Sequence, residues 1–558
     1  MSEPPRVLHY PLPVLAGGAA GAAVGDLFLG LNPHLFGLVP SARLLLSFSL
    51  VFALAALPFA YRRRAPGRGP FVALALTVIA VAFLAEMQRG AYFDYLGNGA
   101  RRVLVWTSLL SAVAGATSLA AALWSPSPSA ARSLLASCFA ALLVVPALVA
   151  RQAPERVPLK EPHLQPGRPG RSLQVLVLEG VSWELLLAGA SDGRLPVFAR
   201  CLAGGVGGPL RTLEPYDRAA LFTTAATGKR PSKHGILSTA FARTPAGPLG
   251  LLPVLPGTAP FAAAGSPRPD GERQSLTFWE ILARRGHEVT VLGWPHAAAR
   301  EGTKLWASEE FFTRHEPLPG DALPRRVADR AALFRAGAQT LDRPLVRALT
   351  PDGLTSEDRA RARPLEGAAR DLSVLGASLG AVPQGPGSVS TIVLSGLTGP
   401  ARVFGAAAEP SRYWGLSPQS GEARARALIA YYRFLDDLLF DLIEREGEDR
   451  TICILAPAGW GPPPPLNAVS QFARGREPEA SPEGGRYGFV LFFGSGIRKG
   501  YKLTSASVLD FAPTLLVLAG EPMARDLDGR VLAEAFDERF VDTANVPLVP
   551  TYEPLGPQ

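Results

Sequence analysis

The sequence predicts an α/β domain on a central, mostly parallel sheet flanked by helices, preceded by an N-terminal transmembrane helical region. Three observations carry this. Residues up to about 150 are dominated by Ala, Leu, Val, Phe and Gly. From about Ser172 onward, short continuous apolar runs alternate with helical patterns, the rhythm of parallel strands joined by crossovers. Between the two, Arg151–Arg171 is a run of Pro, Gly and charged residues with nothing to form a core, and reads as a linker. The expected organisation is a membrane region over 1–150, a linker over 151–171 and a soluble domain over 172–558.

Crossing the hydrocarbon core takes about 17–25 helical residues. Runs near Leu12–Leu31, Leu44–Phe59, Phe71–Ala85, Val103–Leu123 and Leu134–Ala150 supply about five such helices. Their recurrence argues against a cleaved signal peptide. Only the first carries an acid, Asp26. An intramembrane carboxylate is a functional candidate, although the polar stretch Gly30–His34 nearby favours a place at the interface or against a neighbouring helix. Arg62, Arg63, Arg64 and Arg68 form the densest short basic loop, which belongs on the cytoplasmic side. Five spans then put the C-terminal part outside the cytoplasm, as in an integral protein of a bacterial-type inner membrane. Arg101, Arg102 and the basic stretch after Ala150 argue the other way.

The 56 Lys+Arg against 48 Asp+Glu leave a net +8 spread along the chain, without a basic tract that would suggest nucleic acid. Three cysteines (Cys138, Cys201, Cys453) are too few for a disulfide scaffold and read as small apolar residues.

In the soluble domain, Leu173–Leu178 is a buried central strand by its unbroken apolar run. VTVLGW, STIVLSG, TICILA and GFVLFFG supply further strands. Ala423–Glu446 is the best helix, with one apolar face from Leu428, Tyr431, Tyr432, Leu435, Leu438, Leu439 and Leu442. Asp436, Asp437 and Asp441 fall off that face and are expected in solvent. Ligand chemistry in such sheets gathers at the carboxyl ends of strands.

Here the chain resembles a family. LVLEGVSW through LRTLEP, then ALFTTAATGKRPSKHGIL, then TFWEILARRGHEVTVLGWP, resemble the opening blocks of the alkaline phosphatase superfamily, in its type I phosphodiesterase/nucleotide pyrophosphatase branch. YYRFLDDLLFDLIE, TICILAPAGWGP, GFVLFFGSGIRKG and SVLDFAPTLLVLAGEPMARDLDGRVL follow in the same order. The stretch from about Pro319 to Pro386 departs most and reads as a helical insertion.

The resemblance implies a two-metal site. Its parts would be a first-strand Asp, a Thr or Ser nucleophile, an Asp and His four apart, a later Asp-His pair and a final His. Carried over position by position, the first Asp is Glu179 and the nucleophile is Arg218, which has no hydroxyl to accept a phosphoryl group. The spaced Asp and His are Thr398 and Arg402, the later pair is Pro457-Ala458, and the final His falls near Gly484. No histidine follows His315, so no shift of alignment restores the ligands. Glu179 is the only surviving acid. His234 matches a structural position, and His287 and His296 read as packed or solvated. Thr223 and Thr224 read as helix packing, since no base is placed beside them. Arg218, Arg402 and Arg486 put cations at or beside vacated positions. They would clamp an anionic or phosphate-bearing ligand bidentately, or fill the space by pairing with Glu179 or Asp217.

The function expected is that of a membrane-anchored, catalytically inactive pseudoenzyme acting as a binding or scaffold module. One alternative is an active phosphodiesterase or phospho-group transferase with a site rebuilt around Glu179; the other is a structural subunit of a membrane complex. No cofactor is expected on the first reading, and zinc or another divalent metal only on the second. Partners would be the lipid bilayer, an anionic ligand and membrane proteins, not nucleic acid.

Overall fold

The computed structural model describes residues 11–36, 38–60, 68–124, 127–151, 171–238, 241–244, 247–250, 273–297, 303–314, 321–339, 343–381, 387–413, 418–446, 450–477, 479–485, 487–538 and 547–553. Most of the expected linker, with His163, and also His315 and Arg486, lie outside the described residues. The chain divides into two compact units, Met1–Pro158 with Arg230–Pro267, and Leu159–Lys229 with Arg268–Gln558.

The first unit holds five helices, Pro11–Leu31, Leu38–Ala60, Gly69–Ala91, Asn98–Trp124 and Pro128–Arg151. All five are long and apolar enough to cross a membrane. The first is the inner one: 72% of its apolar window is buried, against 22–39% for the others. Glycine spacing explains that. A Cβ on Gly17 would lie 2.6 Å from the Phe52 carbonyl oxygen, and one on Gly21 would lie 2.4 Å from that of Phe48. Gly at every fourth position thus lets two backbones touch, the way helices pack where no hydrophobic drive separates protein from lipid. The outer faces carry exposed Leu46, Leu50 and Leu54, and Val105, Leu109 and Val113.

A later segment also belongs to this unit. The short helix Pro231–His234 is held to the turn between the third and fourth long helices. Ser232 N–H donates to the Tyr95 carbonyl at 3.0 Å, and Gly97 N–H donates to Ser232 Oγ at 3.1 Å. Arg230 Nη1 donates to the carbonyls of Phe93 and Asp94 at 3.1 and 3.2 Å.

The second unit is organised by one large sheet, whose strands run in the order Tyr501–Lys502, Val206–Arg211, Tyr487–Gly494, Thr451–Ala456, Leu173–Leu178, Val389–Leu394, Val289–Trp294 and Leu305–Ser308. Leu173–Leu178 is central and parallel to both neighbours, with Val175 opposite Thr391 and Cys453. All six of its residues are buried, as the unbroken apolar run requires. Val289–Trp294 and Leu305–Ser308 extend the parallel part. Tyr487–Gly494 runs antiparallel to both its neighbours.

The expected strands are all present. The long helix runs Pro418–Glu446 and buries the expected leucines and tyrosines. One expectation about it fails. Asp437 and Asp441 are exposed, but Asp436 is buried, its two oxygens accepting from Phe198 N–H at 2.8 Å and Val197 N–H at 3.1 Å. The helix Pro196–Gly204 starts there without a side-chain cap of its own, and Asp436 answers its unpaired N–H groups and positive end. Helices Arg325–Gln339, Arg343–Leu349, Ser356–Ala362 and Pro364–Ala381 fill the stretch expected to be a helical insertion.

Candidate functional site

The site is built at the carboxyl ends of the parallel strands. Glu179 follows Leu173–Leu178 directly, and its N–H continues the ladder to the Leu394 carbonyl at 2.9 Å. Gly180 turns the chain with a φ of 96°, and a Cβ there would lie 2.9 Å from the Leu397 carbonyl carbon. Only glycine satisfies both the left-handed backbone and that close approach. The turn therefore brings Glu179 beside the segment leading into Thr398.

Arg218 is the first residue of the helix Arg218–Thr227. Asp217 caps that helix by accepting from Ala220 N–H at 3.0 Å. Glu309 opens the helix Glu309–Arg314, directly after the strand Leu305–Ser308. These three elements aim Arg218 between two acids. Its Nε and Nη2 donate to the two oxygens of Glu179 at 2.7 and 2.8 Å. Its Nη1 and Nη2 donate to the two oxygens of Glu309 at 2.9 and 2.6 Å. Both pairs are bidentate, the geometry for which the guanidinium fork is suited. Side-chain exposures of 10% for Glu179, 27% for Arg218 and 19% for Glu309 make this a largely desolvated cluster.

Its electrostatics reach two neighbours. Burial pushes the Glu309 carboxyl up, but the hydrogen bonds from Arg218 outweigh it and hold the group below its ordinary value. Burial and then the Arg218 guanidinium both work against a charged His296, which is held below its usual range. Burial, helped by the Glu179 charge, holds the Tyr216 phenol up.

The other predicted positions divide. Thr398 Oγ1 donates to the Ser395 carbonyl at 2.8 Å, a local turn bond. Arg402 does not share a partner with Arg218 among the described residues. It lies half-exposed, with Nε 3.8 Å from Glu479 and Nη2 3.3 Å from the Arg361 carbonyl. It lines a cavity of about 340 Å³ with Trp460, Asn467, Gln471, Arg474 and Arg476. Pro457 and Ala458 join Thr451–Ala456 to the short strand Gly459–Gly461, which pairs antiparallel with Ser481–Gly485. Backbone fills this part of the site: a Cβ on Gly484 would lie 1.8 Å from the Pro462 carbonyl oxygen, and one on Gly485 would lie 2.1 Å from the Gly459 carbonyl carbon.

The histidines go elsewhere. His234 is buried, and its Nδ1 accepts from Ile236 N–H at 3.2 Å. His287 bridges the Gly387 carbonyl at 2.8 Å and Glu521 at 2.9 Å. Burial opposes its charge, but Glu521 and the carbonyl outweigh that and hold its pKa above the ordinary value. Thr223 and Thr224 are buried in their helix.

These residues do not fit a two-zinc centre. Every oxygen of Glu179 and Glu309 already accepts from Arg218, and the positions of the implied imidazoles hold Arg402, Ala458 and glycine. Among the described residues, no three His, Cys, Asp or Glu side chains come together in a way that could hold an ion. Sequence reasoning missed Glu309, although two glutamates opening a helix just past a strand end were a usable signal. It also missed Glu479, which no pattern announces.

The chain is similar in fold to wild-type alkaline phosphatase PafA (14% identity, TM-score 0.41, covering 66% of this chain and 99% of that one). A phosphonate monoester hydrolase from Silicibacter pomeroyi gives 14% identity and a TM-score of 0.38, covering 65% and 76%. Murine ectonucleotide pyrophosphatase/phosphodiesterase 5 gives 11% identity and a TM-score of 0.35, covering 65% and 100%. No curated protein sequence matches the chain. The sequence profile of the type I phosphodiesterase / nucleotide pyrophosphatase family matches residues 173–451, half of the chain. The chain belongs to that family.

Proposed function

We propose that this protein is a membrane-anchored, catalytically inactive family member that acts as a binding or scaffold module. The observation that carries the reading is Arg218, clamped between Glu179 and Glu309. Metal-assisted phosphoryl transfer needs a nucleophile and cations at the developing charge. Arg218 replaces the nucleophile and supplies one fixed positive charge, spent on two carboxylates rather than left open to substrate.

The binding role is supported by the cavity at Arg402. Arg474 and Arg476 line it beside Glu477 and Glu479, which pair with Arg424 and with Arg361 and Arg402; Arg474 and Arg476 have no carboxylate partner among the described residues, which supports an anionic or phosphate-bearing ligand there. The orientation is supported by the first unit. Ser232, from the C-terminal part of the chain, hydrogen-bonds Tyr95 and Gly97 in the turn after the third helix. If the five helices cross in alternation, this turn and the C-terminal part share one side. In sequence, Arg62, Arg63 and Arg64 fall between the second and third helices, and their charge favours the cytoplasmic side for that connection. On this reading the C-terminal part of the chain lies outside the cytoplasm of a bacterial-type inner membrane.

The test uses the full-length protein in detergent. A generic phosphodiester should not be turned over, and inorganic phosphate should raise the unfolding temperature in a way that Arg402→Ala removes. Turnover abolished by Glu179→Ala would overturn the inactive reading. A phosphate effect unchanged by Arg402→Ala would remove the anion site and leave a scaffold.

A further inference from the structure

The inner helix of the membrane unit contains one carboxylate. Asp26 has no exposed surface, and neither of its oxygens has a hydrogen-bond partner among the described residues. Two serines of the helix Asn98–Trp124 share this condition: Ser111 and Ser118 are fully buried, and their hydroxyls are unpartnered. Hydroxyls in helices usually bond back to a carbonyl one turn earlier, as Thr107 Oγ1 does to Val103 at 2.9 Å. Ser111 and Ser118 do not.

These groups lie on two helices that pack against each other. A Cβ on Gly30 would lie 2.6 Å from Leu104 Cδ2, so the end of the first helix meets the start of the fourth. The two therefore run antiparallel. Asp26 is four residues before Gly30, about 6 Å along the helix and on the same side. Ser111, seven residues beyond Leu104, lies within about 5 Å of the level of Asp26 along the bundle, and Ser118, a further seven residues on, lies about 15 Å away.

The charged and titratable groups on the surrounding helices are engaged or placed elsewhere. Glu86 and Arg89 pair with each other at the surface. Arg43, Arg102 and Arg151 are exposed, and Arg132 is half-buried near the start of its helix. Arg101 Nη2 donates to the Phe93 carbonyl at 2.6 Å, and Cys138 Sγ lies 3.8 Å from Thr117 Oγ1.

A bare carboxylate in hydrocarbon without a counter-ion is among the costliest groups a membrane protein can hold. An orphaned hydroxyl beside it adds to that cost, because lipid offers it no partner. A proton on the carboxyl and water between it and Ser111 would satisfy both. We propose that Asp26, with Ser111, forms a hydrated proton-accepting site inside the membrane bundle. The carboxylate takes a proton from hydronium and releases water. The new carboxyl O–H then donates to Ser111 Oγ directly or through water, and the reverse step returns the proton. The site depends on the five helices lying in a membrane and not on the loss of metal chemistry in the second unit.

Difference infrared spectroscopy on the full-length protein in lipid nanodiscs, between alkaline and acidic buffer, tests this. The expected result is a carboxyl C=O band that Asp26→Asn removes, Ser111→Ala displaces and D2O shifts. Asp26→Glu, which keeps the acid, should move the band without abolishing it. A band absent from the wild type, or retained in Asp26→Asn, would overturn the proposal. So would a band insensitive to D2O, which would mean a sealed acid out of reach of water.

Discussion

Glu179 and Asp26 are both buried acids, one in each unit, and their surroundings are opposite. Glu179 accepts two hydrogen bonds from an arginine that a second glutamate holds from its other edge. Asp26 has no partner on either oxygen among the described residues. Both began from the same physical requirement, since a buried charge must be paired or neutralised. In the second unit a side chain of the protein meets the requirement and closes the site. In the first unit nothing in the described protein meets it, which leaves room for a proton and water. A buried acid therefore indicates an open site only where the chain has not already answered it.

The strongest way to break this contrast is to reopen the closed site. Gly484→His would restore the family's final ligand type, but its Cβ would collide with the Pro462 carbonyl oxygen. The expected cost is about 3 kcal/mol or more, the upper range of overpacking, read as a loss of unfolding temperature. An unchanged unfolding temperature would show that the loop can move aside.

Arg218→Met comes next. It leaves two carboxylates facing each other, for an expected loss of about 2–3 kcal/mol. That is the buried-pair range of about 3–5 kcal/mol, reduced because part of the Arg218 side chain meets solvent. Replacing all three residues by apolar ones of similar size should recover most of the loss. A triple variant no better than Arg218→Met would mean that the cluster holds the fold by more than charge.

Acid should reproduce the effect more weakly. The folded-state pKa of Glu309 is depressed, so its contribution is complete above the unfolded carboxylate value and disappears as pH falls through the folded value. Acid unfolding of Arg218→Met should therefore be less steep than that of the wild type. Equal steepness would place the acid sensitivity elsewhere. The smallest effect is expected from Arg402→Ala without ligand, within about 0.5 kcal/mol, because its ion pair with Glu479 is half-exposed. A larger loss would show that this arginine supports the fold.

Much of this was legible in the residues. Leu173–Leu178 announced itself as a fully buried strand, and the apolar runs of the first 150 residues as five long helices. The order of blocks named Arg218, Thr398, Arg402, Pro457, Ala458 and Gly484 as the positions that the resemblance implies. What surrounds Arg218 was not legible, because it depends on which strand ends lie side by side. Glu309 reaches Arg218 across 91 positions of sequence, and only the sheet order makes them neighbours. Asp436 looked like part of a solvated face, since nothing local shows that another helix starts against it. The return of Pro231–His234 to the membrane unit was equally hidden, as its partners are backbone groups without a sequence signature. Asp26 was visible as an anomaly, but that its oxygens lack a partner among the described residues required the packed bundle.

The central claim is that Arg218 has taken the place of a metal site. Its most direct test is the zinc and manganese content of the full-length protein after purification with excess metal and desalting. The account predicts only trace metal, in the wild type and in Glu179→Ala alike. Stoichiometric metal in the wild type, lost in Glu179→Ala, would contradict it.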